Sequence, residues 1–84
     1  MNPADTWRAI LGGNRNIRFA DLERLAEAFG FEFDRQSGSH RIWRHPSHRP
    51  ARLDLRPDRN GQAKRYQIDQ LVDIVEEFGP TLGQ

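Results

Sequence analysis

Residues 31–46 read Phe31-Glu32-Phe33-Asp34-Arg35-Gln36-Ser37-Gly38-Ser39-His40-Arg41-Ile42-Trp43-Arg44-His45-Pro46, and this stretch decides the fold. Phe31 and Phe33 alternate with Glu32 and Asp34, the two-residue period of a half-buried strand. Gln36-Ser37-Gly38-Ser39 is turn chemistry, after which His40 to His45 forms a second strand that Pro46 ends. Downstream, Ser47 to Pro50 reads as a loop. Leu53 and Leu55 then alternate with Arg52, Asp54 and Arg56 in a third strand, closed by Pro57 and the turn residues Asp58-Arg59-Asn60-Gly61. A strand either side of a short turn, twice over, predicts an antiparallel sheet.

Helical periodicity flanks the strands. Phe19, Leu22, Leu25, Ala26 and Phe29 form one apolar stripe, with Gly30 placed for a left-handed cap. Tyr66 to Phe78 presents Ile68, Leu71, Val72, Val75 and Phe78 on one face before Gly79-Pro80 stops it. At the start, Asn2 is placed as an N-cap ahead of Pro3 and Asp5, and Trp7, Ile10 and Leu11 share a face of a short helix. The expected fold is α+β, in the order α-β-β-β-α. Two helices cover one face of a three-stranded antiparallel sheet and leave the other open, because no further segment remains to cover it. Residues 1–16 are expected to be a short helical extension and residues 17–84 the domain proper. Phe29, Phe31, Phe33, Leu71 and Val75 should be mostly buried. Ile42 and Trp43 must point to opposite faces; a core aromatic is the better reading of Trp43 than a base-stacking one, but the sequence does not say which of the two faces the core, and the face of His40 hangs on that choice.

Length and composition agree with one folded domain. At 84 residues, the chain buries only about 60% of the surface its unfolded form exposes, which leaves no room for a deep cavity. Two Trp, five Phe and one Tyr supply anchors that a disordered chain lacks. Cysteine is absent, so disulfides and thiolate metal sites are excluded. No apolar run approaches the roughly 20 residues of a membrane span, and the N-terminus has no signal-peptide core. A cytoplasmic protein without membrane contact is the expectation.

The net charge of +1 hides a strong asymmetry. Residues 35–65 carry Arg35, Arg41, Arg44, Arg49, Arg52, Arg56, Arg59, Lys64 and Arg65 against only Asp54 and Asp58, a local excess of seven positive charges. The flanks are acidic. A basic segment of this kind, rich in Arg, suits phosphate contacts and points to a polyanion partner. His40, His45 and His48 lie inside it, but a proline interrupts their spacing and no carboxylate is near in sequence. Neither a metal nor a cofactor is expected.

The Gly38-Ser39-His40 tripeptide opens a strand that ends in His45-Pro46, behind an amphipathic helix and a Gly-aromatic strand start. This combination resembles the HicA family of toxins, over roughly Ile17 to Phe78. The resemblance implies a fold similar to double-stranded-RNA-binding domains and a ribosome-independent endoribonuclease that cleaves mRNA. It also implies neutralisation by a HicB-like antitoxin. It places the family's catalytic histidine on His40. Many members carry a second His where this chain has Arg41, which suits phosphate binding instead.

The chemistry asks for little, since RNA supplies its own nucleophile in the 2′-hydroxyl. An imidazole, with an ordinary pKa of about 6.5, can move protons near neutral pH. Gly38 permits close backbone approach and Ser39 can donate to a phosphate oxygen. Arg41, Arg44 and Lys64 are the candidates to hold the phosphate and its transition-state charge. The competing readings are a non-catalytic RNA-binding module and a protein-interaction domain of the same fold, in which His40 is an ordinary strand residue.

Overall fold

The computed structural model describes residues 1–83. In chain order the elements are α1 (Pro3–Leu11), α2 (Phe19–Ala28), β1 (Glu32–Ser37), β2 (His40–His45), β3 (His48–Leu55) and α3 (Arg65–Phe78). The strands form one antiparallel sheet in the order β1-β2-β3, with β2 at the centre. The α-β-β-β-α order is thus the one read from the sequence, with α1 in front.

Strand alternation decides what lies where. Trp43 of β2 pairs with Leu53 of β3, and Arg41 with Leu55, so these four project from the same face. Trp43, Ala51, Leu53 and Leu55 meet Leu22, Leu25 and Ala26 of α2 and Ile68, Leu71 and Ile74 of α3 in a single core. Both helices therefore cover one face. His40, Ile42 and Arg44 point the other way. Ile42 is nonetheless only 3% exposed. Arg35 and Asp54 flank it across the sheet, and the stem of a long side chain such as Arg35 can shield an apolar neighbour. Trp43 is the member of the pair that joins the helix-covered core, which puts His40 on the open face.

The N-terminal helix is capped as its residues suggest, the Asn2 side chain accepting from the Asp5 N–H at 2.8 Å. It is packed into the rest. Trp7 meets Phe29 edge-on at 4.9 Å, and Ile10 is 1% exposed within the common core.

Two expectations need correction. Phe33 is 44% exposed. It sits on the edge strand β1, beside a register shift between Phe33 and Arg35, where the helices reach least. Its ring meets Trp43 edge-on at 5.6 Å and the Arg41 guanidinium lies over it. Val75 is mostly buried as expected, packed with Val72 and Phe78 at the side of the inward line formed by Ile68, Leu71 and Ile74. The stretch 47–50 is mostly strand, since β3 already begins at His48. Pro50 is accommodated there because the register shift between Arg44 and His45 leaves 49–51 between successive pairs, an irregularity that tolerates a missing N–H.

A tight contact joins the end of α2 to the end of β2. His45 is buried, its Nε2 bonded to the Phe29 carbonyl at 2.8 Å while Nδ1 accepts from the Ser47 N–H at 3.1 Å. Gly30 has φ +94°, and a Cβ there would stand 2.7 Å from His45 Nε2. Both the backbone conformation and the space thus demand glycine. Gly30→Ala is expected to cost about 2–3 kcal/mol, the range of a strained backbone plus a displaced buried ring. Urea unfolding should show it as a lower midpoint with an unchanged slope.

Candidate active site

The β1–β2 turn is built on Gly38, whose φ of +61° is a left-handed value. The Gln36 amide donates to the Gly38 carbonyl at 3.0 Å and ties the turn down. Ser39 is exposed at the tip, and His40 opens β2 opposite Ser37. The His40 ring lies on the open sheet face. There its Nδ1 is 2.8 Å from Oδ1 of Asp54, a residue of β3 that pairs with Ile42. Both side chains remain more than two-fifths exposed. With Asp54 accepting, the proton sits on Nδ1, so the lone pair of Nε2 is left facing solvent. Among the described residues Nε2 has no hydrogen-bond partner.

Sequence reasoning did not single out Asp54 as a partner for His40. The available signal was its alternation with Leu53 and Leu55, which puts it on the solvent face as a lone acid between Arg52 and Arg56.

The other candidates divide between the two faces. Arg41 lies on the helix side, away from His40. Its Nε donates to Glu23 of α2 and its Nη1 to Gln36 at 3.1 Å, and Glu23 also accepts from the Trp43 indole at 3.1 Å. Arg41 thus locks the sheet to α2 and is not brought beside the imidazole. Arg44 shares the face of His40, but its Nε is bonded to Asp34 at 3.1 Å, and Arg35 shares that carboxylate at 2.8 Å. Lys64 stands at the cap position of α3. Together with Ser39, Arg56 and Arg59 it lines a shallow groove of about 420 Å³. The structure therefore gathers Ser39, His40 and Lys64 at one end of the sheet, with Gly38 in the adjoining turn.

The end of β3 beside this site is closed by a side chain. Gln67, fully buried on α3, turns its amide so that its nitrogen donates to the Arg56 carbonyl at 3.1 Å and its oxygen accepts from the Arg56 N–H at 3.0 Å. This mimics a neighbouring strand and satisfies backbone groups that burial would otherwise penalise. The His45 and His48 rings meet at a tilt, their centroids 4.6 Å apart. Among the described residues no three metal-ligating side chains converge.

A family model described as HicA toxin of bacterial toxin-antitoxin matches residues 19–77, from the first residue of α2 almost to the end of α3. It leaves α1 outside its span. No curated protein and no solved structure matches the chain. The match takes in both helices of the domain, all three strands and the His40 hairpin, and by it the chain belongs to the HicA family of toxins of bacterial toxin–antitoxin pairs.

Proposed function

We propose that this toxin is an endoribonuclease that cleaves mRNA independently of the ribosome, with His40 as its catalytic residue. One observation carries the reading: a solvent-facing imidazole, held at Nδ1 by Asp54, with an unengaged Nε2 on an uncovered sheet face. Nε2 accepts the proton of an RNA 2′-hydroxyl as that oxygen attacks the adjacent phosphorus. The bond from phosphorus to the 5′-oxygen breaks, and that oxygen takes a proton from the imidazolium or from water. The products are a 2′,3′-cyclic phosphate and a 5′-hydroxyl. Preorganised donors near the phosphate stabilise its charge, and Ser39, directly before His40 at that end of the sheet, is placed for that task.

Purified protein incubated with single-stranded RNA should yield these two ends. A strand carrying a 2′-deoxy sugar at the scissile position should bind and stay intact, because the internal nucleophile is gone. A protein that binds RNA and never cuts it would support the non-catalytic reading instead.

A toxin of this kind requires a neutralising partner, and family membership implies one. A HicB-like antitoxin with an acidic surface suits the open face, where it would cover His40 and the cations beside it.

A further inference from the structure

The basic segment is less uniform than its sequence suggests. Arg35 and Arg44 share Asp34, and Arg41 is held by Glu23. Arg56, Arg59 and Lys64 are in no ion pair among the described residues. These three line the same groove, with Ser39 on its wall and Pro57 and Asp58 completing it.

The one carboxylate present is occupied from within. Oδ1 of Asp58 accepts from the Asn60 N–H at 2.8 Å and from the Gln62 N–H at 2.9 Å. The same loop is pinned to the body of the domain. The Phe19 N–H donates to the Gly61 carbonyl at 3.0 Å, and the Ala63 N–H to the Ile17 carbonyl at 2.8 Å. The loop thus ties its acid to its own backbone, and its backbone is held against the domain. Three cations carried on three elements (the end of β3, the loop and the start of α3) converge on one groove, where a phosphate can be met from several sides.

The groove also adjoins the catalytic candidate. Ser39 precedes His40, and Arg56 stands two residues beyond Asp54. A second depression, of about 440 Å³, lies at the opposite end of β2, but there Glu32 and Asp34 stand against Arg44 and Arg49, so its wall offers no excess of positive charge to a phosphate.

We propose that the groove of Arg56, Arg59 and Lys64 is a subsite for a second backbone phosphate of the RNA strand, neighbouring the phosphate that His40 and Ser39 address. The assignment rests on the endoribonuclease reading for its ligand, and its test does not depend on cleavage.

The probe is a single-stranded 2′-O-methyl RNA of about ten nucleotides, which has no free 2′-hydroxyl to react. Its affinity is measured between low and physiological salt for the wild type, for Arg59→Ala, for Arg56→Ala with Lys64→Ala, and for Arg59→Glu. Each alanine variant should bind about 5- to 20-fold more weakly at low salt. Its log–log salt slope should be shallower by about 0.7 for each phosphate that is no longer neutralised. Arg59→Glu should be weaker still. Arg8→Ala, exposed on α1, is the control and should leave both quantities unchanged. Circular dichroism confirms that each variant is folded, and Arg59→Ala, an exposed loop change, keeps the test open if the double variant is not.

Unchanged affinity and slope in folded variants would overturn the subsite. So would variants that bind RNA normally and fail only to bind the antitoxin, for then the groove serves an acidic protein. Wild-type protein that never cuts RNA, while the variants bind it as weakly as expected, would remove the nuclease reading and keep the subsite.

Discussion

His40→Ala should lower RNA cleavage by at least ~10²-fold, the smaller end of what one general acid–base group contributes, and should abolish growth arrest on expression. The fold is expected to survive. The His40 side chain is 44% exposed and its one hydrogen bond goes to a similarly exposed carboxylate, so stability should change by only about half a kcal/mol. Binding of uncleavable RNA should persist, since the cations remain. His40→Gln is the stricter variant, because it keeps a polar side chain of similar reach and removes only the ability to carry a proton at neutral pH. A folded His40 variant that cuts RNA at the wild-type rate would end the mechanism.

Asp54→Asn should be the second most damaging change, and more damaging than Asp54→Ala. An Asn amide can turn its NH₂ toward Nδ1. The ring then accepts there and carries its proton on Nε2, the nitrogen that needs a free lone pair. A comparable substitution in buried serine-protease triads costs about 10⁴-fold through the wrong tautomer. Here the pair is half in water, and a loss of roughly 10²-fold in kcat with little change in KM is expected. Asp54→Ala removes the carboxylate but lets water accept the Nδ1 proton, so the loss should be nearer ~10-fold. The order of the two variants is the informative readout. A merely structural role for Asp54 predicts that Ala is the worse of the two, since Asn keeps the shape and some of the bonding. Nitrogen-15 spectra of the ring would show the tautomer directly.

The features legible in the sequence are those set by near neighbours. Alternation at Phe31–Asp34 and Arg52–Arg56, the helical stripes and the Gly30 and Gly79 stops all lie within a few residues, and each produces its element. The features that are not legible depend on register. His40 and Asp54 are 14 residues apart. Nothing local says that they share a face until Trp43 pairs with Leu53 under the helices. Two adjacent apolar residues, Ile42 and Trp43, leave the face of His40 open. The choice is made by Glu23, 20 residues before Trp43, which binds its indole and the Arg41 guanidinium together. Phe33 departs from expectation for a related reason, since an alternating pattern does not show that a strand lies at an edge with a shifted register.

The contact between Gly30 and His45 has a consequence for how sequences of this family can drift. The ring nitrogen of His45 occupies the space that any side chain at position 30 needs, and both of its nitrogens are already engaged. Either position changed alone leaves a clash or an unfilled space with stranded backbone groups. Relatives that retain a histidine at the end of the second strand should therefore retain glycine after the first helix of the domain. Lineages that have lost that glycine should carry a smaller residue in place of the histidine. The two positions are therefore expected to change together, a coupling that a comparison scoring each column by itself would not see.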